Sequence, residues 1–146
     1  MVDLLADTNL DEALELLHFA FRAVVARPDR MLGSRGLSRV HHRILFFVRR
    51  NPGMSVGQLL RILGTSKQAL HEPLRTLLRK KMVAMTSALE DRRVKRIHLT
   101  DEGKKFEKAL SGDQRARFKA VFKMAGKKKE LAWREVMRSL TEKIFN

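Results

Sequence analysis

The sequence contains no cysteine and few proline or aromatic residues. Its 146 residues include no tyrosine, three prolines and one tryptophan. Without cysteine the chain has no disulfide, no thiolate metal ligand and no thiol-based redox sensor. The longest uninterrupted apolar run, residues 44–48, is too short for a membrane span or a signal sequence, and the first residues are acidic. We therefore expect one cytoplasmic domain, residues 1–146, that does not contact a membrane.

The sequence also lacks any recognisable catalytic constellation. It contains no nucleophile elbow, no phosphate-binding glycine loop and no metal-ligand doublet. The adjacent His41 and His42 would point about 100° apart on a helix, so they would not converge on one metal ion. We therefore expect no enzymatic activity, no cofactor and no metal site.

Acidic residues are about half as numerous as basic ones. The chain has 31 Lys and Arg against 16 Asp and Glu, a formal net charge of +15. Residues 1–20 hold five acids and no Lys or Arg, whereas residues 61–105 hold twelve bases and five acids. The basic middle of the chain indicates a nucleic acid as partner, although charge alone attracts nucleic acid without selecting a sequence.

Two helix starts lie ten residues apart in this basic region. Ser55–Gln58 and Thr65–Gln68 both fit the capping box, in which a hydroxyl and an amide side chain satisfy the first amides of a helix. Gly64 suits the left-handed residue that ends a helix. The pattern predicts a helix-turn-helix, with helices over 55–63 and 66–80. The side chains of the second helix that we expect to contact DNA are Ser66, Lys67, Gln68, His71 and Arg75.

Residues 83–99 predict a β-hairpin with a cationic tip. Apolar and polar residues alternate along the first limb up to Leu89 and again around Ile97 on the second limb, which is typical of a half-buried hairpin. Thr100 can cap a helix that opens with Asp101 and Glu102, where carboxylates suit the helix dipole. The residues of the hairpin that we expect to contact DNA are Asp91, Arg92, Arg93 and Lys95.

Together these motifs resemble the winged-helix core of the MarR family of bacterial transcriptional regulators. The resemblance covers residues 36–106 and is most specific in EDRRVKRIHLTDEGKKF, where charge, strand alternation, cap and spacing coincide. It implies a mostly α fold with a small β-hairpin wing (α+β). A winged helix-turn-helix DNA-binding lobe would span residues 37–103, with N- and C-terminal dimerisation helices over 8–27 and 106–146. It also implies an obligate homodimer, with a recognition helix in each major groove and wing arginines in the adjacent minor groove.

Three positions depart from the family pattern. Pro73 lies inside the recognition helix, where its missing amide predicts a bend costing about 3 kcal/mol; a helix that starts afresh at Pro73 is the alternative. Lys81 stands where the family usually has glycine, and a left-handed lysine costs about 1 kcal/mol or more. The turn at Glu90–Arg93 has no glycine, which favours a longer, mobile loop over a tight turn.

The first and last helices carry more apolar residues than the core of one small lobe needs. The stripe of the first helix ends before Pro28, where we expect that helix to end. The two stripes either pack on each other within a monomer or pair across a two-fold axis, and the family resemblance favours the pairing. The expected interface residues are Leu10, Leu14, Leu17, Phe21, Val136, Leu140 and Ile144.

These features predict a sequence-specific regulator of transcription that binds double-stranded DNA. We expect a homodimeric repressor on an inverted-repeat operator, and the resemblance leaves room for a small-molecule effector between the dimerisation helices and the lobe. The alternative is a non-specific nucleic-acid-binding or architectural protein that uses the same winged helix. Only a regulator would keep a large ratio of specific to non-specific affinity as salt is raised.

Overall fold

The computed structural model describes the backbone of residues 4–145 and the side chains of residues 7–142. The helices of this part are α1 (Leu4–Gly33), α2 (Arg39–Arg50), α3 (Val56–Leu63), α4 (Lys67–Arg79), α5 (Asp101–Ala125) and α6 (Lys127–Phe145). The strands are β1 (Met54–Ser55), β2 (Val83–Ser87) and β3 (Lys95–Leu99), in the antiparallel order β1-β3-β2. The predicted mostly α fold with a β-hairpin is confirmed. No helix in the described range is long and apolar enough to cross a bilayer.

Helix α1 continues through Pro28 to Gly33, so the predicted helix end before Pro28 is wrong. A proline inside a helix leaves the carbonyl four residues earlier without its amide donor. Here that carbonyl belongs to Val24, and the side-chain amide of Gln114 in α5 donates a hydrogen bond to it at 3.2 Å. Pro28 itself is buried. The hydrogen bond from α5 therefore offsets the cost of the proline. A local sequence pattern does not show a contact with a residue so far along the chain.

The core of the lobe lies between α2, α3, α4 and the sheet. Leu45, Leu59, Leu77 and Ile97 are all fully buried there. Burying each such side chain contributes about 1.5–3 kcal/mol to folding. The apolar face predicted for the recognition helix is confirmed, since Leu70 and its neighbours on that face belong to this core. Consequently α4 is held by one face and presents the other to solvent.

Strand β1 was not predicted, because two residues are too few to show alternation. Met54 pairs with Ile97 and is buried, which makes β3 the central strand. The alternation of burial predicted along the first limb holds only as far as Thr86, because Ser87, the last residue of the ladder, is exposed as well. Beyond it the order of burial reverses: Ala88 is buried and Leu89 is fully exposed. The regular side-chain period of a strand applies only while the ladder continues.

The end of α4, the start of the wing and the start of α5 meet at one point. The backbone amide of Thr100 donates to the carbonyl of Met82 at 3.0 Å, and its hydroxyl donates to the carbonyl of Lys81 at 2.6 Å. The same hydroxyl oxygen accepts the amide of Gly103 at 3.0 Å, which confirms the predicted cap. Lys81 adopts the left-handed conformation expected of it, with φ of 57°. A Cβ atom on Gly103 would lie 1.9 Å from the Met82 carbonyl oxygen.

This contact predicts an unusual response to alanine substitution in α5. Replacing glycine by alanine inside a helix normally stabilises a protein by about 0.5–1 kcal/mol. Gly103→Ala should instead destabilise it by about 3 kcal/mol or more, because backbone must move to admit the methyl group. Gly112→Ala, in the same helix, is the matched control, since its Cβ would meet nothing closer than Arg115 at 3.9 Å. Urea denaturation of both variants measures the difference, and equal stabilities would contradict the packing described.

Candidate nucleic-acid interface

The exposed face of α4 is rich in groups that can bind bases and phosphates. Lys67, Gln68, His71 and Arg75 are all exposed along it. Together they offer two cations, an amide and an imidazole, the kinds of side chain that bond to base edges in the major groove. These residues lie on the side of the helix opposite the buried leucines. The helix thus presents this face without exposing its apolar one.

Ser66, and not Thr65, caps this helix. Its hydroxyl oxygen accepts the amide of Ala69 at 3.1 Å, so the capping box predicted at Thr65 is wrong. The physical reason lies in the preceding turn, where Gly64 is left-handed and the amide of Thr65 donates to the carbonyl of Leu60 at 3.3 Å. Thr65 therefore belongs to the end of α3, and the predicted DNA-contact residue Ser66 has a capping role. The other predicted box, at Ser55, is confirmed.

Helix α4 runs without interruption through Pro73. The alternative, in which the helix starts afresh at Pro73, is therefore wrong. Leu70 and Leu74 are buried on either side of the proline, and their packing stabilises the continuous helix against the loss of one hydrogen bond. On the exposed side Glu72 forms an ion pair with Arg79 at 3.5 Å.

The wing tip holds an arginine whose guanidinium is oriented by a neighbouring carboxylate. Arg93 donates from its backbone amide and from Nε to Asp91 Oδ1, at 3.0 and 3.2 Å, and from a terminal nitrogen to Oδ2 at 3.2 Å. The Arg93 side chain is 91% exposed. These bonds from Arg93 lower the pKa of Asp91. A charged, forked donor is thereby held at the tip while remaining accessible to phosphate or to base edges.

The tip is a loop over residues 88–94 rather than a two-residue turn, as its lack of glycine predicted. The amide of Ala88 donates to the carbonyl of Val94 at 2.9 Å, and the amide of Val94 donates to the carbonyl of Asp91 at 3.0 Å. Arg92, like Arg93, is exposed in this loop. Lys95, at the start of β3, donates to the hydroxyl of Ser87 at 2.9 Å. The mobility expected of the loop stays a prediction.

Arg96 and Glu90 support the wing from its base, and the sequence reasoning did not single them out. Arg96 donates to the carboxylate of Glu90 and, at 3.1 Å, to the backbone carbonyl of Gly53. A hydrogen bond from its own backbone amide and the bond from Arg96 lower the pKa of Glu90. The arginine thus connects the wing loop to the turn before β1. The sequence signal that could have pointed to Arg96 is its alternation with the apolar Ile97 along the second limb of the hairpin.

Comparisons with known proteins agree with this geometry. The family model that describes the MarR family matches residues 35–94. The HTH-type transcriptional regulator PetP of Rhodobacter capsulatus is 36% identical over 138 residues, which cover 94% of this chain and 83% of PetP. The chain belongs to the MarR family. It is therefore a DNA-binding transcriptional regulator with a winged helix-turn-helix.

Solved structures show the same fold as this MarR family protein. The crystal structure of a MarR family transcription regulator has a TM-score of 0.74, with 24% identity, over 93% of this chain and 90% of the other. NadR, solved in complex with 4-hydroxyphenylacetate, has a TM-score of 0.73 and 20% identity, over 86% of this chain and 89% of NadR. Identities this low establish the fold and no finer property.

The lobe of this MarR family protein is attached to α5 by buried polar contacts. Arg49 in α2 donates to Oε1 of Glu107, whose side chain is fully buried. The second carboxylate oxygen has no hydrogen-bond partner within the described residues. One helical turn further on, Ser111 is 2.9 Å from His42 Nε2. We expect these contacts to add little net stability, because desolvating an ion pair costs about as much as the pairing gains.

The predicted interface side chains are exposed in the single chain. Leu14, Val136 and Leu140 are between 60% and 65% exposed. The first and last helices therefore do not cover each other's apolar stripes within one protomer, so the alternative in which the two stripes pack on each other is wrong. Ile144 has a side chain outside the described residues. The remaining predicted interface residues, which are between 47% and 64% exposed, are Leu10, Leu17 and Phe21.

Burial of His42 predicts a pH dependence of stability. Desolvation lowers the pKa of His42, so the folded protein binds this proton less readily than the unfolded chain. The unfolded chain takes up the proton below about pH 6.5, and the folded state therefore loses stability as the pH falls through that value. His42→Gln should flatten the dependence of unfolding free energy on pH between about 7.5 and 5.5. An unchanged slope in a folded His42→Gln protein would contradict this origin of the pH dependence.

Proposed function

We propose that this regulator is a homodimeric repressor that binds an inverted-repeat operator through α4 and the wing of each protomer. The observation that supports this most strongly is the pairing, on one lobe, of an exposed polar α4 face with an arginine fork held at the wing tip. Residues 37–103 form the proposed DNA-binding lobe. A repressor of this kind acts where the chromosome is, in the cytoplasm.

Helix α4 and the wing have different proposed roles in binding DNA. Lys67, Gln68, His71 and Arg75 bind base edges and phosphates in the major groove, since their chemistry matches the donor and acceptor pattern there. Arg93, aided by Arg92, enters the minor groove, whose negative potential attracts guanidinium groups. Three further residues have supporting roles in this scheme, as cap of the reading helix, as orienting carboxylate and as phosphate contact: Ser66, Asp91 and Lys95.

The homodimer is proposed from the exposed apolar stripes of α1 and α6. Leaving side chains such as Leu14 and Leu140 in water forfeits about 1.5–3 kcal/mol each. Pairing residues near 8–25 and 115–145 of two protomers would bury more than about 2,000 Å² in total, the range of obligate dimers. The proposed dimerisation segments are therefore residues 8–27 and 106–146, and a folded monomer at micromolar concentration would refute them.

A cleft between the lobe and the dimerisation helices has the chemistry to hold a small effector. Its volume is about 290 Å³, and its walls include Phe21, Phe46 and Phe47 together with Arg39 and Arg43. Three hydrogen bonds to Asp29 engage the Arg39 guanidinium, so Arg43 is the arginine left to meet a carboxylate. An aromatic acid fits these walls, and 4-hydroxyphenylacetate, the ligand in the NadR complex, is of that class.

Mutations in the wing and mutations in α4 should impair DNA binding in different ways. Arg93→Ala should weaken binding by roughly 1–3 kcal/mol and flatten its salt dependence, with little change in the preferred sequence, because the lost contact is mainly electrostatic. Gln68→Ala should alter the preferred bases and change the salt slope less, because an amide reads base edges without releasing counterions. Titrations of specific and scrambled duplexes at several salt concentrations measure both effects.

The same titrations distinguish a regulator from an architectural protein. A regulator retains a ratio of specific to non-specific affinity of at least about 10³. Equal affinities for the two duplexes would favour the architectural alternative. Wild-type affinity and salt slope in folded Arg93→Ala would mean that the wing does not touch DNA.

A further inference from the structure

Most contacts of the wing loop lie within the loop itself. Of residues 88–94, Ala88 is buried, whereas the two arginines at the tip are exposed. The backbone bond between Ala88 and Val94 and the bonds between Arg93 and Asp91 all join residues of the loop to each other. Bonds of this kind stabilise the shape of the loop and do not connect it to the rest of the lobe.

Glu90 connects this loop to a different part of the lobe. Its carboxylate accepts a hydrogen bond from the guanidinium of Arg96 in β3. The same guanidinium donates to the backbone carbonyl of Gly53 at 3.1 Å. Among the described residues, no other side chain from 89–93 forms a hydrogen bond or an ion pair with a residue outside the loop. Glu90 and Arg96 therefore form the side-chain connection between the wing loop and the turn before β1.

The anchor at Gly53 is itself held in place. Its backbone amide donates to the carbonyl of Ile97 at 3.0 Å. Ile97 is fully buried in the central strand and pairs with Met54, the residue that follows Gly53. Arg96 therefore joins an exposed carboxylate on the wing loop to backbone that is bonded directly to the central strand of the sheet.

Neither stability nor charge explains this connection. The side chains of Arg96 and Glu90 are 38% and 67% exposed, and ion pairs this exposed contribute little to the free energy of unfolding. An acidic group in the same loop as the DNA-binding arginines repels phosphate. What the pair does provide is a fixed position for the loop before DNA binds. A loop that is already ordered loses less conformational entropy on binding.

We infer that Glu90 and Arg96 are positioning residues, which hold the wing loop where Arg93 reaches DNA. The inference rests on the proposed contact between the wing and DNA, and it gives an acidic residue a favourable effect on binding to a polyanion. Electrostatics alone predicts the opposite sign, since removal of a negative charge near the duplex tightens binding. The direction of the change when the Glu90 carboxylate is removed therefore distinguishes the two accounts.

Glu90→Ala and Arg96→Lys test the connection from its two ends. The first removes the carboxylate, and the second keeps the positive charge but loses the planar fork that bonds Glu90 and Gly53 together. Each variant should raise the dissociation constant for a duplex selected from random DNA by about fivefold, the scale of ordering one long side chain. The midpoint of thermal unfolding should change little, because the pair is exposed. Fluorescence anisotropy at one salt concentration measures the binding.

Glu102→Ala is the matched control. The Glu102 side chain is 65% exposed, nearly the same as that of Glu90, and its ion pair with Arg35 at 3.7 Å lies outside the wing. Its removal deletes one negative charge from the lobe without touching the wing loop. This variant should bind the duplex at least as tightly as the wild type.

A double-mutant cycle with Arg93→Ala shows whether the pair acts through the wing. Glu90→Ala should cost little further affinity in a protein that already carries Arg93→Ala, because the contact that it positions is gone. Equal losses in both backgrounds, or unchanged or tighter binding by either single variant of the pair, would overturn the inference while the wing contact stands. Wild-type affinity of Arg93→Ala alone would instead remove the proposed contact between wing and DNA, and the inference with it.

Discussion

The close approach of Gly103 to the backbone of Met82 sets the arrangement of the reading lobe. Met82 connects the recognition helix to the wing, and Gly103 lies in the first turn of α5, with no room for a side chain between them. Thr100 bonds to the carbonyls of both Lys81 and Met82. The recognition helix, the wing and α5 therefore converge on one backbone contact.

Helix α5 connects this junction to the segments that we propose form the dimer interface. Its polar contacts with α2, through Glu107 and Ser111, attach it to the lobe. The cleft proposed for an effector is bounded by α1, α2 and α5 at once. A ligand there changes DNA affinity only if it binds one arrangement of lobe and α5 more tightly than another. His42 is buried at the same place, and this desolvation lowers its pKa.

Local signals in the sequence predicted most of this fold, and hydrogen bonds that no sequence pattern shows account for the two helix boundaries that were predicted wrongly. The cap at Thr100 and the left-handed Lys81 depend on neighbouring residues alone, and both were confirmed. The path of α1 through Pro28 depends on Gln114, far along the chain. The choice of Ser66 over Thr65 depends on the carbonyl of Leu60. For the site, the sequence predicted which side chains are exposed on the lobe. Their contacts with DNA remain a prediction, because such contacts form only when DNA is bound.

The central claim is that two such lobes, related by a two-fold axis, read one duplex. An unbiased selection of bound duplexes from random DNA by the full-length protein tests it most directly. We expect selected sequences with dyad symmetry and half-sites centred about 10 base pairs apart, since two recognition helices must enter successive major grooves on one side of the duplex. Enriched sequences without dyad symmetry, or no enrichment over the starting pool, would contradict the account.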